Sequence, residues 1–200
     1  LFEQVAEAIR QTGEPVPVFV DKHLADNWED ANWLYTTARE LNVPLMAGSS
    51  LPVLWRYPPT DVRRGEQLKE IVAVSYHTLD AYGFHALEMV QCLAEGRAGS
   101  ETGIASVQCI TGPAVWTSGL FDRALLEECM ARLKVDYIPE GQTIESMTPE
   151  PILFHIPYAD GLVANVLTLN GAVGEWSSAW RYADDSVDSK SDGALSATVG

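Results

Sequence analysis

The chain is short of cysteine, of positive charge and of long apolar runs, and each shortage excludes something. Cys92, Cys109 and Cys129 are an odd number at wide spacing with no C-x-x-C, so neither a disulfide framework nor a zinc site is indicated. A reducing, cytoplasmic compartment fits best. Lys and Arg number 13 against 28 Asp and Glu, a formal charge of -15 that repels phosphate backbones and anionic membranes, so nucleic acid is not an expected partner. No stretch approaches the roughly 20 apolar residues that cross a bilayer, and no charged segment followed by an apolar one opens the chain. The sequence starts at Leu1 and falls at once into a helical pattern, which leaves room for a leader or a domain upstream. Neither G-x-G-x-x-G nor G-x-x-x-x-G-K-[ST] occurs, so these residues cannot by themselves cradle a pyrophosphate.

What remains is ordinary globular material. The 200 residues are 46% hydrophobic and 20% charged, enough for one domain with a sizeable core or for two cut short. Phe2, Val5, Ala6 and Ile9 stand at helical spacing up to Gly13. Val18-Phe19-Val20 is a short apolar run of the kind found in strands covered on both faces. Asp26, with Glu29 three residues on, predicts the cap of a helix carrying Ala31, Leu34, Ala38 and Leu41, and Val43 to Ala47 predicts a second strand. Helix, strand, helix, strand is the rhythm of a parallel α/β sheet. Residues 1-50 thus read as one unit.

Beyond Pro52 the texture changes. Ile71 to Tyr76 and Ile104 to Ile110 read as strands, Phe84 to Ala94 as a helix, and Asp122 as the cap of a helix with Leu125, Leu126, Cys129, Met130 and Leu133 inside. Ile152–Ile156 and Leu162–Leu169 flank Asp160-Gly161, a strong hairpin signal, and Pro157 ends the first strand or marks an edge. Residues 51-181 therefore read as an α+β domain on a mostly antiparallel, open sheet. The hairpin strands carry more apolar side chains than one layer of helices covers, so a homo-oligomer joined through this sheet is expected. Residues 182-200, rich in Ser and Asp, read as a loop or frayed end.

Two places can carry chemistry. Asp21-Lys22-His23 follows the first strand directly, where ligands bind in open parallel sheets; the same residues also serve simply to turn the chain into a helix. The second is the segment from Asp80 through Tyr82, Gly83 and His85 to Glu88. His85 is its proton carrier, since imidazole exchanges a proton near neutral pH, and Asp80 and Tyr82 are candidates to orient the ring. Gly83 permits close approach of backbone or ligand. His85, Glu88 and Cys92 share a helical face, but one soft and one hard ligand with a single histidine make a poor metal set, and no metal is assigned. His77 and His155 read as surface or satisfied core histidines, and Trp28, Trp33, Trp176 and Trp180 as packing.

Taken in order, VPVFVDKHLADNWEDANWLYTTARELNVPLMAGSSLPVLWR followed by LDAYGFHALEMVQCLAEG resembles the Gfo/Idh/MocA family of NAD(P)-dependent oxidoreductases. The resemblance covers most of residues 1-175. It implies that residues 1-50 are the end of a Rossmann-type dinucleotide-binding domain and that 51-181 form the substrate and oligomerisation domain. It places Lys22 on the nicotinamide and the substrate hydroxyl, Asp21, His23 and Arg56 at the cofactor, and His85 as the catalytic histidine. The implied reaction moves a hydride between NAD or NADP and a secondary alcohol of a sugar, polyol or derivative. Three positions differ from the family pattern: the dinucleotide fingerprint is absent, His23 stands where the family has proline, and Ala81 where it has aspartate. A non-catalytic relative, serving as a ligand-binding or assembly module, is the alternative these differences leave open.

Overall fold

The computed structural model describes residues 1-184 and 193-197, and the chain divides into two compact units, Leu1–Ser50 and Leu51–Gly200. In the first unit α1 (Phe2–Thr12) ends as its pattern requires: Gly13 adopts φ 73°, and its N–H bonds to the carbonyl of Ile9. Strand β1 (Val18–Val20) follows, then α2 (Trp28–Glu40) and β2 (Leu45–Ala47). The cap of α2 is Asn27, not Asp26: the Asn27 side chain accepts the Asp30 N–H at 2.9 Å, while Asp26 accepts from the Asn27 amide. Both spacings satisfy a capping pattern, and the local backbone chooses between them.

Strands β1 and β2 pair in parallel, Val18 opposite Leu45 and Val20 opposite Ala47. Both helices cover one face, where Ile9, Ala38 and Val43 are buried with Val18 and Leu45 against them. The two-sided cover expected for β1 is not found. Phe19 is 55% and Met46 70% exposed, because the described residues hold only two helices here and both lie on the same side.

The second unit opens with a single 3-10 turn, Leu51–Val53, then β3 (Arg56–Tyr57) and β4 (Leu68–Ser75). A five-residue π-helical turn, Leu79–Gly83, runs directly into α3 (Phe84–Glu95). After it come β5 (Gln108–Thr111), α4 (Ala114–Thr117), α5 (Arg123–Arg132) and α6 (Ile144–Met147). Strands β6 (Ile152–Pro157), β7 (Val163–Thr168), β8 (Trp176–Tyr182) and β9 (Gly193–Ala197) complete the unit. They form one seven-stranded mixed sheet in the order β3-β9-β8-β4-β7-β6-β5, in which β4 and β7 are parallel and every other neighbouring pair is antiparallel.

Both faces of the sheet are covered. On one face Ile71, Ala73, Ala164, Val166 and the two indoles of β8 pack under α3, through Ala86, Met89, Val90 and Leu93. On the other, Val72, Val74, Leu153, Leu167 and Ala179 pack under Leu125, Leu126 and Cys129 of α5. Strand alternation sends each apolar neighbour to the opposite core. The surplus of apolar side chains in β6 and β7 is thus buried within the chain, Val166 and Leu167 both fully, and the sheet does not call for a partner subunit. The sequence pattern reveals α5 but not which face it covers.

Two further expectations change. The strand foreseen from Ile104 shrinks to Gln108–Thr111, since Ile104 makes only an isolated bridge to Tyr158, and both Ala105 and Ser106 turn their N–H groups to the Pro157 carbonyl. Within residues 182-200, Gly193–Ala197 is a strand inserted between β8 and β3, with Ala197 opposite both Trp176 and Arg56. Backbone pairing along a sheet needs no apolar periodicity, so this strand carries no pattern to read. No helix among the described residues is long and apolar enough to cross a membrane.

Candidate active site

Strand β4 is the parallel member of the sheet that delivers side chains to its carboxyl end, the place where α/β sheets bind ligands. Just past it stand Tyr76 and His77, then the π-turn, then His85 in the first turn of α3. Their rings converge with Trp176, the first residue of the adjacent β8. Tyr76 lies 4.7 Å from Tyr82 and 4.6 Å from Trp176 between ring centroids, and Tyr82 lies 5.3 Å from Trp176. The His85 ring is 5.8 Å from Trp176 and 6.3 Å from Tyr82, and His77 reaches Tyr82 at 5.0 Å.

Two backbone features mark this spot. His77 holds φ 62°, in the left-handed region that non-glycine residues seldom enter, and the turn after it is π-helical. Both forms are costly, and both concentrate where a fold positions functional side chains. Burial, with Tyr82 next, pushes the Tyr76 phenol up to about 12, so at neutral pH it is a hydrogen-bond donor. Glu175, only 2% exposed, accepts the Lys134 N–H on Oε2 at 2.6 Å and so anchors the start of β8 beside this cluster. The missing Cβ at Gly174 makes room for Tyr137, whose hydroxyl would lie 2.6 Å from it.

Of the residues expected from the sequence, Tyr82 and His85 are brought together here. Asp80 is exposed on the π-turn, and among the described residues no hydrogen bond or ion pair joins it to His85. Gly83 is helical, with φ -59°; the group that occupies the space of its missing Cβ is the Leu79 side chain, 2.5 Å away, not a ligand. The Arg56 guanidinium is engaged inside the second unit, by Asp61 at 2.8 Å, the Pro52 carbonyl at 3.2 Å and the Cys92 sulfur at 3.5 Å. A cation on Cys92 also argues against the metal set of His85, Glu88 and Cys92, and no group of metal-ligating side chains occurs among the described residues.

In the first unit Asp21, Lys22 and His23 follow β1 as expected. Asp21 accepts the Ser50 N–H on Oδ1 at 2.9 Å, which ties the loop after β1 to the loop after β2. A groove of about 760 Å³ runs along β1, lined by Phe2, Val5, Val18, Phe19, Asp21 and Trp33 among others.

The other face of the large sheet carries a second polar cluster. Glu70 accepts on Oε1 from the Asp122 N–H at 2.9 Å and from the Asn165 amide at 3.0 Å, and Asn165 Oδ1 lies 2.8 Å from His155 Nδ1. Because the Asn165 amide donates to Glu70, its oxygen accepts from His155, which assigns the ring proton to Nδ1. Arg181 pairs with Asp122. Burial is the main cause that raises the Glu70 carboxyl above its ordinary value. His155 is thus a satisfied, half-buried histidine.

Sequence reasoning missed Tyr76, His77, Glu175 and Trp176. The first two had one signal, their position directly after an apolar parallel strand; Trp176 and Glu175 had none, because only pairing of β8 with β4 brings them there. No family model matches the chain, and no curated protein matches it.

Proposed function

We propose that this chain is part of an oxidoreductase that moves a hydride between NAD or NADP and a secondary alcohol of a sugar, polyol or derivative. The observation that carries the reading is the cluster at the end of β4, where a histidine at a π-turn faces an aromatic wall, together with the family resemblance of the surrounding sequence. In this reading the first unit, with its parallel β1 and β2 and helices on one side, is the last part of a Rossmann-type sheet. The chain's residues fit the nicotinamide end alone: the carboxyl end of β1 offers Asp21, Lys22 and His23, whereas no glycine-rich phosphate cradle occurs in the sequence.

The cofactor, when bound, supplies the hydride acceptor or donor. His85 takes the proton of the reacting hydroxyl, and returns it in the reverse direction. Tyr82 and Trp176 give the imidazole an aromatic wall, and Asp80 stands exposed on the turn before it.

Turnover is tested with a panel of polyols and aldoses at NAD or NADP concentrations up to tens of millimolar, because without a phosphate cradle these residues bind the cofactor weakly, following the near-ultraviolet absorbance of the reduced nicotinamide. The expected outcome is activity that His85→Ala lowers by roughly 10²- to 10⁴-fold in kcat, the loss usual for a general base, with little change in Tm. Ligand binding by calorimetry without any turnover would instead favour the non-catalytic binding module. A His85→Ala protein with intact kcat and lowered Tm would make His85 a core residue.

A further inference from the structure

Residues 134–137, which follow α5, are tied along the connection from β7 to β8. The Lys134 N–H donates to the buried Glu175 carboxylate at 2.6 Å, the Gly174 N–H to the Val135 carbonyl at 3.0 Å and the Tyr137 N–H to the Ala172 carbonyl at 2.9 Å, and Asp136 bridges to Val173. A segment held at each residue presents its side chains in a set geometry, as a binding site requires. Gly174 completes the fit. Its φ is not left-handed, so what the glycine supplies is room: a Cβ there would meet the Tyr137 hydroxyl at 2.6 Å and Val135 at 2.7 Å.

This packing sets Tyr137 at the rim of the candidate site. Gly174 stands two residues before Trp176, and after burial and Tyr82 the Tyr137 phenol is the next cause that raises the Tyr76 phenol. The rim is open to solvent: Tyr137 is 56% exposed, His77 is exposed, and Tyr76, Tyr82 and His85 are only half-buried. The Tyr137 hydroxyl has no hydrogen-bond partner among the described residues. A phenol both gives and accepts a hydrogen bond, as each hydroxyl of a polyol does, and a tyrosine with two side-chain torsions loses little freedom when it engages a ligand. We propose that Tyr137 is a substrate-binding residue that sets specificity: its phenol hydrogen-bonds a hydroxyl of the polyol on a carbon other than the one that reacts beside His85. The proposal rests on the oxidoreductase reading for that substrate class. Because this second hydroxyl is unchanged by the reaction, the contact is as strong before the transition state as in it, and it acts on KM more than on kcat.

The test uses the full chain with ¹³C-labelled tyrosine and histidine, Tyr137→Phe and His85→Ala to assign the two resonances, and sorbitol as the probe. Sorbitol should shift the resonances of both Tyr137 and His85. Tyr137→Phe should keep Tm, and should raise the sorbitol Kd read at His85 by roughly 2- to 10-fold, the usual worth of one neutral hydrogen bond. Its KM for sorbitol should rise by a similar factor, with a smaller change in kcat. A Tyr137 resonance that stays in place while that of His85 moves overturns the proposal and leaves the oxidoreductase reading standing. An unchanged sorbitol Kd in Tyr137→Phe does the same, and a lowered Tm beside it makes the phenol a packing group. Both resonances shifted without any turnover keep Tyr137 as a polyol ligand and remove the oxidoreductase instead. Sorbitol that moves neither resonance overturns the proposal together with the polyol reading.

Discussion

Glu70 shows what burial does to a single carboxyl. Its two acceptor contacts, to the Asp122 N–H and the Asn165 amide, and the nearby Arg181 favour the charged form, yet desolvation outweighs them and the carboxyl is held above its ordinary value of 4.5. Between 4.5 and the folded-state value the folded chain binds more protons than the unfolded one, so stability falls as pH rises through that window. Glu70→Gln keeps an oxygen for both donors and removes the charge. It should raise Tm at pH 7 by a few degrees, at about 2–4 °C per kcal/mol for a chain of this size, and the gain should vanish below pH 4.5 in thermal melts run across pH. Of the residues around it, Asp122 was legible as a helix cap from its position before Leu125 and Leu126, and its side chain does accept the Ala124 N–H at 2.8 Å. Its pairing with Arg181, 59 residues away, was not.

The hairpin of β6 and β7 makes the same point for an element. Asp160-Gly161 announces the turn: Gly161 takes φ 96°, and the Asp160 carboxylate accepts the Leu162 N–H. The sequence does not say that the same carboxylate receives a two-pronged contact from Arg97, whose side chain is 0% exposed at the end of α3 and stacks 4.7 Å over the Tyr158 ring. The hairpin is thereby pinned to the helix that covers it. The Arg97 guanidinium beside Asp160 holds that carboxyl below its ordinary value. This contribution is therefore present at neutral pH and lost as pH falls through the folded-state value. Asp160→Asn leaves a buried arginine without its counter-charge and should cost about 3 kcal/mol by urea unfolding at pH 7, with the gap to wild type closing in acid. An equal cost at pH 7 and in strong acid would show that the loss is of turn geometry, not of the ion pair.

The two units differ sharply in how much core they own. Both large clusters, under α3 and under α5, lie wholly within Leu51–Gly200, whereas Leu1–Ser50 buries only Ile9, Ala38 and Val43 in its cluster beside a two-stranded parallel sheet. About 50 residues with so small a core fall below what a domain needs to fold alone. Expressed separately, Leu51–Gly200 should unfold cooperatively in urea, and Leu1–Ser50 should show no cooperative transition by circular dichroism. A cooperative transition in the short fragment would mean that its helices carry more stability than their buried faces suggest.

Local patterns determined a large part of this protein. Helical spacing placed α1, α2, α3 and α5, apolar runs placed β4, β6 and β7, and the change of texture near Pro52 fell close to the Ser50–Leu51 boundary between units. Charge balance and the lack of a phosphate-binding loop were read directly. These are decided by interactions within a few residues, so the sequence alone displays them. Tertiary structure decided the rest: that α5 closes the second face of the sheet, that Gly193–Ala197 joins it as a strand, that Arg97 meets Asp160, and that Trp176 arrives beside Tyr82 and His85. Each joins residues far apart in the chain, and their meeting is set by the packing and register of the whole sheet, which no short window of residues contains.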